Sequence, residues 1–336
     1  MSLKRKLCCF TLRRHCNIAS EPRYLLMSSE SFPNNDRSGV GISTLPVEIL
    51  RQIIIHAATN DPHKYIYKSS HGFYNENPIH LGWISITHVS RLWREVAVTT
   101  RSLWTDIVLN FGRTWAAEMI RRSGPTAAIS VLVADCREWM YETFDAIVPP
   151  MMNRVERLEL WGTCDEIDYA CDQLMFTPAP ALRSLRLTNA SFWRGDSDIV
   201  CDGLFAYHTP LLSTLRLYRV GYPATSFYMF ENLKHFELHS GEDDSDVNPF
   251  LAQLVTALAH MPFLETLSMT GCVLRDLTDD SIALLPSKQF TTAKLPNLRT
   301  LTMEGHRHVL DCMRRHIECP ASCVVSEKIL SLSLPF

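Results

Sequence analysis

ALRSLRLT, residues 181–188, is the stretch on which the fold turns. It carries one apolar residue, Leu182, two variable positions, and then an apolar-x-apolar pair, Leu185 and Leu187. Such alternation is that of a short strand turning every second side chain into a core. The same unit recurs as RVERLELW at 154–161, LLSTLRLY at 211–218, NLKHFELH at 232–239, FLETLSMT at 263–270 and NLRTLTME at 297–304. The first apolar residue of each closing pair stands at 158, 185, 215, 236, 267 and 301, so the spacings are 27, 30, 21, 31 and 34. KILSLSL at 328–334 is a candidate last copy that caps the array. One such unit cannot bury its own apolar face, so copies must stack on one another.

Working outward, TDIVL at 105–109 and AISVLV at 128–133 read as further strands, and WAAEMIRR at 115–122 as a short helix stopped by Ser123-Gly124-Pro125. FLAQLVTALAH at 250–260 follows Asn248-Pro249, an N-cap and a first-turn proline, and reads as a helix. Its neighbourhood carries no formal charge from Val247 to Leu264, but Asn248, Gln253, His260 and two prolines argue against a membrane span. In stacked strands the residue between the two apolar ones points away from the core, giving a column of Glu159, Arg186, Arg216, Glu237, Ser268 and Thr302. The residue after the pair forms a second column, Trp161, Thr188, Tyr218, His239, Thr270 and Glu304. Trp161, Arg186, Arg216, Tyr218, Glu237 and His239 are the candidate target-binding residues, because Arg, Tyr and Trp are enriched at binding hot spots. The two neighbouring arginines suit an acidic or phosphorylated segment.

The unit resembles the leucine-rich repeat in an irregular form, over roughly residues 105–336. Its spacing is uneven, and the asparagine usual after the apolar pair is not consistently present. The resemblance implies an α/β solenoid. Upstream stand STLPVEILRQIIIHAA at 43–58 and GWISITHVSRLWREVAVTTRSLWTDIVL at 82–109. Leu45-Pro46 opens a helix with an apolar stripe at Ile49, Leu50, Ile53, Ile54 and Ala57. A second stripe runs through Ile86, Val89, Trp93, Val96 and Ala97. Leu45, Pro46, Ile49, Leu50, Val89, Trp93, Arg94, Leu103 and Trp104 resemble the F-box, most of all the F-box-like proteins of fungi. The 60 residues from Leu45 to Trp104 exceed a compact F-box, and the excess is the insert from Thr59 to Gly82, with Tyr65, Tyr67, Phe73 and Tyr74 as an aromatic underside. The expected architecture is an α+β or α/β chain: an N-terminal extension over 1–42, an all-helical F-box-like domain over 43–104, and a repeat solenoid over 105–336.

The resemblance implies an adaptor-binding strip of Leu45, Pro46, Ile49, Leu50 and Ile53, braced from behind by Val89 and Trp93. The adaptor is of the Skp type, and through it a cullin–RING ubiquitin ligase is recruited. The chain is then a substrate-receptor subunit, not an enzyme, whose repeats hold an unidentified target protein. A scaffold using the repeats for another purpose is the alternative.

Composition agrees with a globular chain: 336 residues, 46% apolar, 21% charged, net charge −3. That balance gives no argument for nucleic acid or an anionic membrane. The 11 cysteines are scattered, without Cys-x-x-Cys, which points to the reducing cytosol or nucleus. Leu7–Leu12 is too short for the apolar core of a signal peptide. No Gly-rich phosphate loop, nucleophile elbow or His-Glu-x-x-His occurs. The acidic run EDDSD at 242–246 fails the EF-hand template, which meets Pro249 where glycine is needed. His306, His308, Cys312, His316, Cys319 and Cys323 hold zinc-ligand chemistry, yet the stretch also reads as an ordinary repeat helix, and no metal or cofactor is expected.

Overall fold

Each apolar-x-apolar pair of the repeat lies in a strand, and the strands pair with one another in chain order. The computed structural model describes residues 45–66, 79–134, 138–190, 203–221, 230–239, 251–271 and 292–330. The extension over 1–42, the acidic run at 242–246, the Asn248-Pro249 cap and residues 67–78 of the insert lie outside the described residues. The chain is mixed α/β and divides into two compact units, Met1–Val96 and Ala97–Phe336.

The second unit is built on one nine-stranded parallel sheet. Its strands are β3 (Asp106–Val108), β4 (Ile129–Ala134), β5 (Val155–Gly162), β6 (Ser184–Asn189), β7 (Thr214–Tyr218), β8 (His235–His239), β9 (Thr266–Thr270), β10 (Thr300–Gly305) and β11 (Val324–Ile329), and they neighbour one another in that order. Leu158, Leu185, Leu215, Phe236, Leu267 and Leu301 are successive Cα partners. Val131 and Ile107 extend this row at one end and Val325 at the other. From Ile107 to Leu301 every member of the row is buried. The residues between them are half-exposed, so only one face of the sheet is covered. A parallel sheet covered on both faces reads as unbroken apolar runs. Here the strands alternate, which is why the repeat was visible in the sequence.

Five successive strands, from β6 to the one at Thr300–Gly305, are entered through the same turn. The N–H of Leu182, Leu212, Leu233, Leu264 and Leu298 donates to the carbonyl three residues earlier, at 3.1–3.2 Å. Pro180, Pro210, Pro262 and Pro296 occupy the second position of four of these turns, where a φ fixed near −65° is already correct. The leucine that follows is fully buried in all five turns but Leu298, which is 1% exposed. Asn232 and Asn297 donate Nδ2 to the carbonyls of Pro210 and Pro262 in the preceding units, at 3.0 and 2.8 Å. Alternating charges at the mouth of the turns, such as Glu265 with Lys234 and Arg299, both at 3.6 Å, are exposed and add little.

The connections carry α3 (Arg113–Ser123), α4 (Glu138–Met151), α5 (Cys164–Leu174), α6 (Leu251–Ala259) and α7 (Arg307–His316). α5 opens on a capping box, with Thr163 and Glu166 satisfying each other's backbone N–H. Asn110 clasps the end of β4: its Oδ1 accepts from the Ala134 N–H at 2.9 Å while its Nδ2 donates to the Ala134 carbonyl. The last strand differs from expectation. It is VVSEKI at 324–329, and Val324, Val325 and Ile329 stay exposed at the edge. Lys328 and Ile329, the first two residues of KILSLSL, close this strand, and residues 331–334 of that candidate copy lie outside the described residues. Among the described residues, no helix is long and apolar enough to cross a membrane.

In the first unit α1 (Val47–Asn60) is followed by a short antiparallel ladder of β1 (Lys64–Tyr65) and β2 (Ile79–His80). The expected all-helical domain is corrected here, because the base of the insert is a hairpin. Its two ends are tied together by Asp61, whose carboxylate meets His80 Nε2 at 2.6 Å and whose carbonyl accepts from the Trp83 N–H at 2.9 Å. Trp83 is buried and donates Nε1 to His63 Nδ1 at 3.0 Å. The second apolar stripe is not one helix. It breaks into a 3-10 turn over Gly82–His88 and α2 (Arg91–Thr99), and the division between the two units falls inside α2, at Val96–Ala97.

Gly82 makes this closure possible. Its φ is +51°, and a Cβ there would lie 2.4 Å from the Asp61 carbonyl oxygen. Gly82→Ala is expected to cost at least about 1–3 kcal/mol, the range for a forced left-handed residue, before the backbone clash is added. Urea unfolding followed by tryptophan fluorescence measures it.

Candidate functional site

The open face of the parallel sheet gathers the six residues singled out for target binding. Glu159, Arg186, Arg216 and Glu237 are consecutive Cα partners across β5 to β8. Trp161, Thr188, Tyr218 and His239 form the next row up the same strands. All are half-exposed, as side chains opposite a packed face must be.

The two arginines have different surroundings. Arg216 donates Nε to Glu237 Oε2 at 3.1 Å, and the Tyr218 hydroxyl donates to Glu237 Oε1 at 2.5 Å. Glu237 thus neutralises Arg216 and orients Tyr218. Arg186 instead lies over two rings, with its guanidinium carbon 4.9 Å from the Trp161 ring centre and 4.6 Å from that of Tyr218. Both distances are within cation–π range. The His239 ring is tilted against Tyr218 with centroids 5.7 Å apart. The six residues therefore form one continuous patch in which Trp161 is covered by an arginine, and this accounts for a tryptophan on an open strand face. The pairing of Arg216 with Glu237 was missed at the sequence level. The signal was present, since opposite charges at one column position in adjacent units are cross-strand neighbours.

Burial, then the hydrogen bond to Glu237, push the Tyr218 phenol above its ordinary range. The neutral phenol is the form the fold favours. Its contribution to stability is complete below the ordinary tyrosine pKa and is lost as pH rises through the raised value. Tyr218→Phe is expected to remove one late-titrating phenol from the alkaline ultraviolet titration, and to leave the neutral-pH spectrum otherwise unchanged.

In the first unit the expected apolar strip is only partly on the surface. Ile49 and Ile53 stand one turn apart on α1 and are 47% and 38% exposed, with Val47 exposed beside them and Pro46 before them. Leu45 is half-exposed. Leu50 is corrected: it has no exposed surface and belongs, with Ile54, to the core side of the helix. Within each side the two residues are four apart, as a 3.6-residue period requires, and the sides themselves are one residue out of step. Trp93 is buried, as a bracing residue must be. Val89 is 63% exposed instead of buried behind the strip; it follows the 3-10 turn, where the expected helical period is broken.

The C-terminal histidines and cysteines do not converge. The His306 and His308 rings are parallel with centroids 5.8 Å apart, and Cys312 and His316 follow along α7. Burial, and then the neighbouring Cys319, push the Cys323 thiol up. Among the described residues, no three His, Cys, Asp or Glu side chains gather as a metal site would need. The chain was compared with protein-family models, curated proteins and solved structures, and none of the three comparisons finds a match.

Proposed function

We propose that the chain is a non-enzymatic substrate receptor of a Skp–cullin–F-box type ubiquitin ligase, working in the cytosol or nucleus. In this reading α1 docks on a Skp-type adaptor, and the stacked strands form a leucine-rich-repeat-like solenoid whose open face holds the target protein. Catalysis resides in the RING and the ubiquitin-carrying enzyme, and the chain supplies proximity. The observation that carries the reading is the pair Ile49 and Ile53. They lie in water on a helix opened by Leu45-Pro46 while Leu50 and Ile54 fill the core behind them. A helix with apolar residues on both sides is built for two partners, its own core and another chain.

The patch around Arg186 supports the other half of the reading, since rigid aromatics and arginine are the residue types that anchor interfaces. The deciding experiment is direct binding of the purified full chain to a purified Skp-type adaptor. Binding at micromolar concentration is expected. A chain that ignores the adaptor at that concentration is a scaffold that uses the sheet face alone.

A further inference from the structure

We infer that Arg186 is the receptor for a single carboxylate, carried by an acidic segment of the bound protein. The inference rests on the reading that the open face of the sheet binds a target, and it names what that face recognises.

Arg186 stands on β6, between the strands that carry Trp161 and Tyr218. With rings stacked on the guanidinium, its remaining binding capacity lies in its in-plane N–H groups. None of them has an acceptor among the described residues. Nε is buried and unpartnered, as are Trp161 Nε1 and Thr188 Oγ1 beside it. Three orphaned polar atoms on one patch are unusual, because buried donors are nearly always paired. The rings also hold the arginine in place, so little side-chain freedom remains to be lost when an anion docks.

The surrounding charges select the anion. Arg216 is already occupied by Glu237. Glu159, the Cα partner of Arg186 on β5, has no ion-pair partner among the described residues. Among the described residues, the patch therefore offers one uncommitted cation next to one uncommitted anion. A phosphate dianion would gain a single arginine and face Glu159. A singly charged, planar carboxylate matches the guanidinium edge and meets half that repulsion. The two-arginine cluster suggested by the sequence is thus a one-arginine site, and the acidic ligand is favoured over the phosphorylated one.

The full-length chain with ¹⁵N-labelled arginine tests this. The Arg186 Nε–H signal is assigned by its loss in Arg186→Lys. Four peptides are titrated: acetyl-Leu-Glu-Leu-amide, its glutamine and phosphoserine counterparts, and acetyl-Leu-Gly-Leu with a free C-terminus. A saturable shift with a carboxylate peptide and none with the glutamine peptide is expected. Whichever of the two carboxylate peptides binds tells a side-chain carboxylate from a chain terminus. Arg186→Gln is expected to abolish the binding, read on the remaining signals of the patch. Glu159→Gln is expected to tighten it about two- to five-fold, the range of exposed charge pairs, and this second variant keeps every arginine in place. Silence with both carboxylate peptides overturns the inference, as does tenfold tighter binding of the phosphoserine peptide. No adaptor takes part in the experiment. Failure here leaves adaptor docking untouched, and failure of the chain to bind an adaptor leaves this result standing.

Discussion

Trp104→Ala is expected to destabilise the unit over 97–336 by about 3–5 kcal/mol, the range for truncating a large buried aromatic. The residue is 1% exposed and stands just before β3, the first strand of the sheet. Its Nε1 donates to the Ala97 carbonyl at 2.9 Å, and the Arg122 guanidinium lies 4.2 Å from its ring centre. Arg122 is in turn held by Glu118, whose carboxyl sits below the usual carboxylate range, first through its hydrogen bond to Arg121. Removing the indole leaves a cavity, a carbonyl that keeps only its longer bond from the Thr100 N–H, at 3.3 Å, and an arginine without its ring. Trp104→Phe keeps most of the volume and loses the hydrogen bond, and is expected to cost about 1–2 kcal/mol. Thermal or urea unfolding of the two variants separates packing from hydrogen bonding. Equal losses in both would mean that the Nε1 bond, not the ring, holds this end of the sheet.

Ile49→Glu combined with Ile53→Glu is expected to weaken binding to a Skp-type adaptor at least about a hundredfold, or ~2.7 kcal/mol, because two charges enter an apolar contact. Both side chains already face water in the free chain, so its circular dichroism and melting temperature are expected to stay within ordinary surface variation. Leu50→Glu is the control on the same helix. Leu50 has no exposed surface, so this change is expected to unfold the first unit instead of merely blocking a partner. A double variant that binds the adaptor as well as the wild type removes the Ile49–Ile53 strip from the interface, and Val89 and Val47 become the next residues to change. Exposure alone separates Ile49 from Leu50, adjacent residues of one apolar stripe.

How much was legible from the residues varies along the chain. Eight of the nine strands of the sheet were, because a face open to water forces alternation, and period two is readable in five residues; the last, Val324–Ile329, buries no apolar pair and was not. The cross-strand rows followed, since aligning the apolar pairs of successive units sets the register of everything between and after them. The Pro-x-Leu turns at 180–182, 210–212, 262–264 and 296–298 were equally readable and add the point at which each strand begins. The capping box from Thr163 to Glu166 marks α5 by the same kind of local chemistry. The second helix of the first unit was misread. Ile86, Val89 and Trp93 keep a helical spacing, but Gly82 at positive φ starts a 3-10 turn that ends before α2 begins. The chain there answers to the hairpin closure at Asp61, which lies over twenty residues away in sequence from Val89 and leaves no mark in the local period.

The sequence by itself determined the stacked strands, their order, and which side chains share a column on the open face. These follow from local periodicity and from the need of each unit to bury one apolar side. Only the tertiary structure decided which of those side chains remain available. Arg186 and Arg216 occupy the same column and have the same chemistry, yet Arg216 is spent on Glu237, while Arg186 lies over two rings and has no acceptor among the described residues. Leu50 and Ile49 differ likewise in burial. Whether a side chain is committed depends on distances and angles across neighbouring strands and helices, which a linear pattern of residue types does not contain.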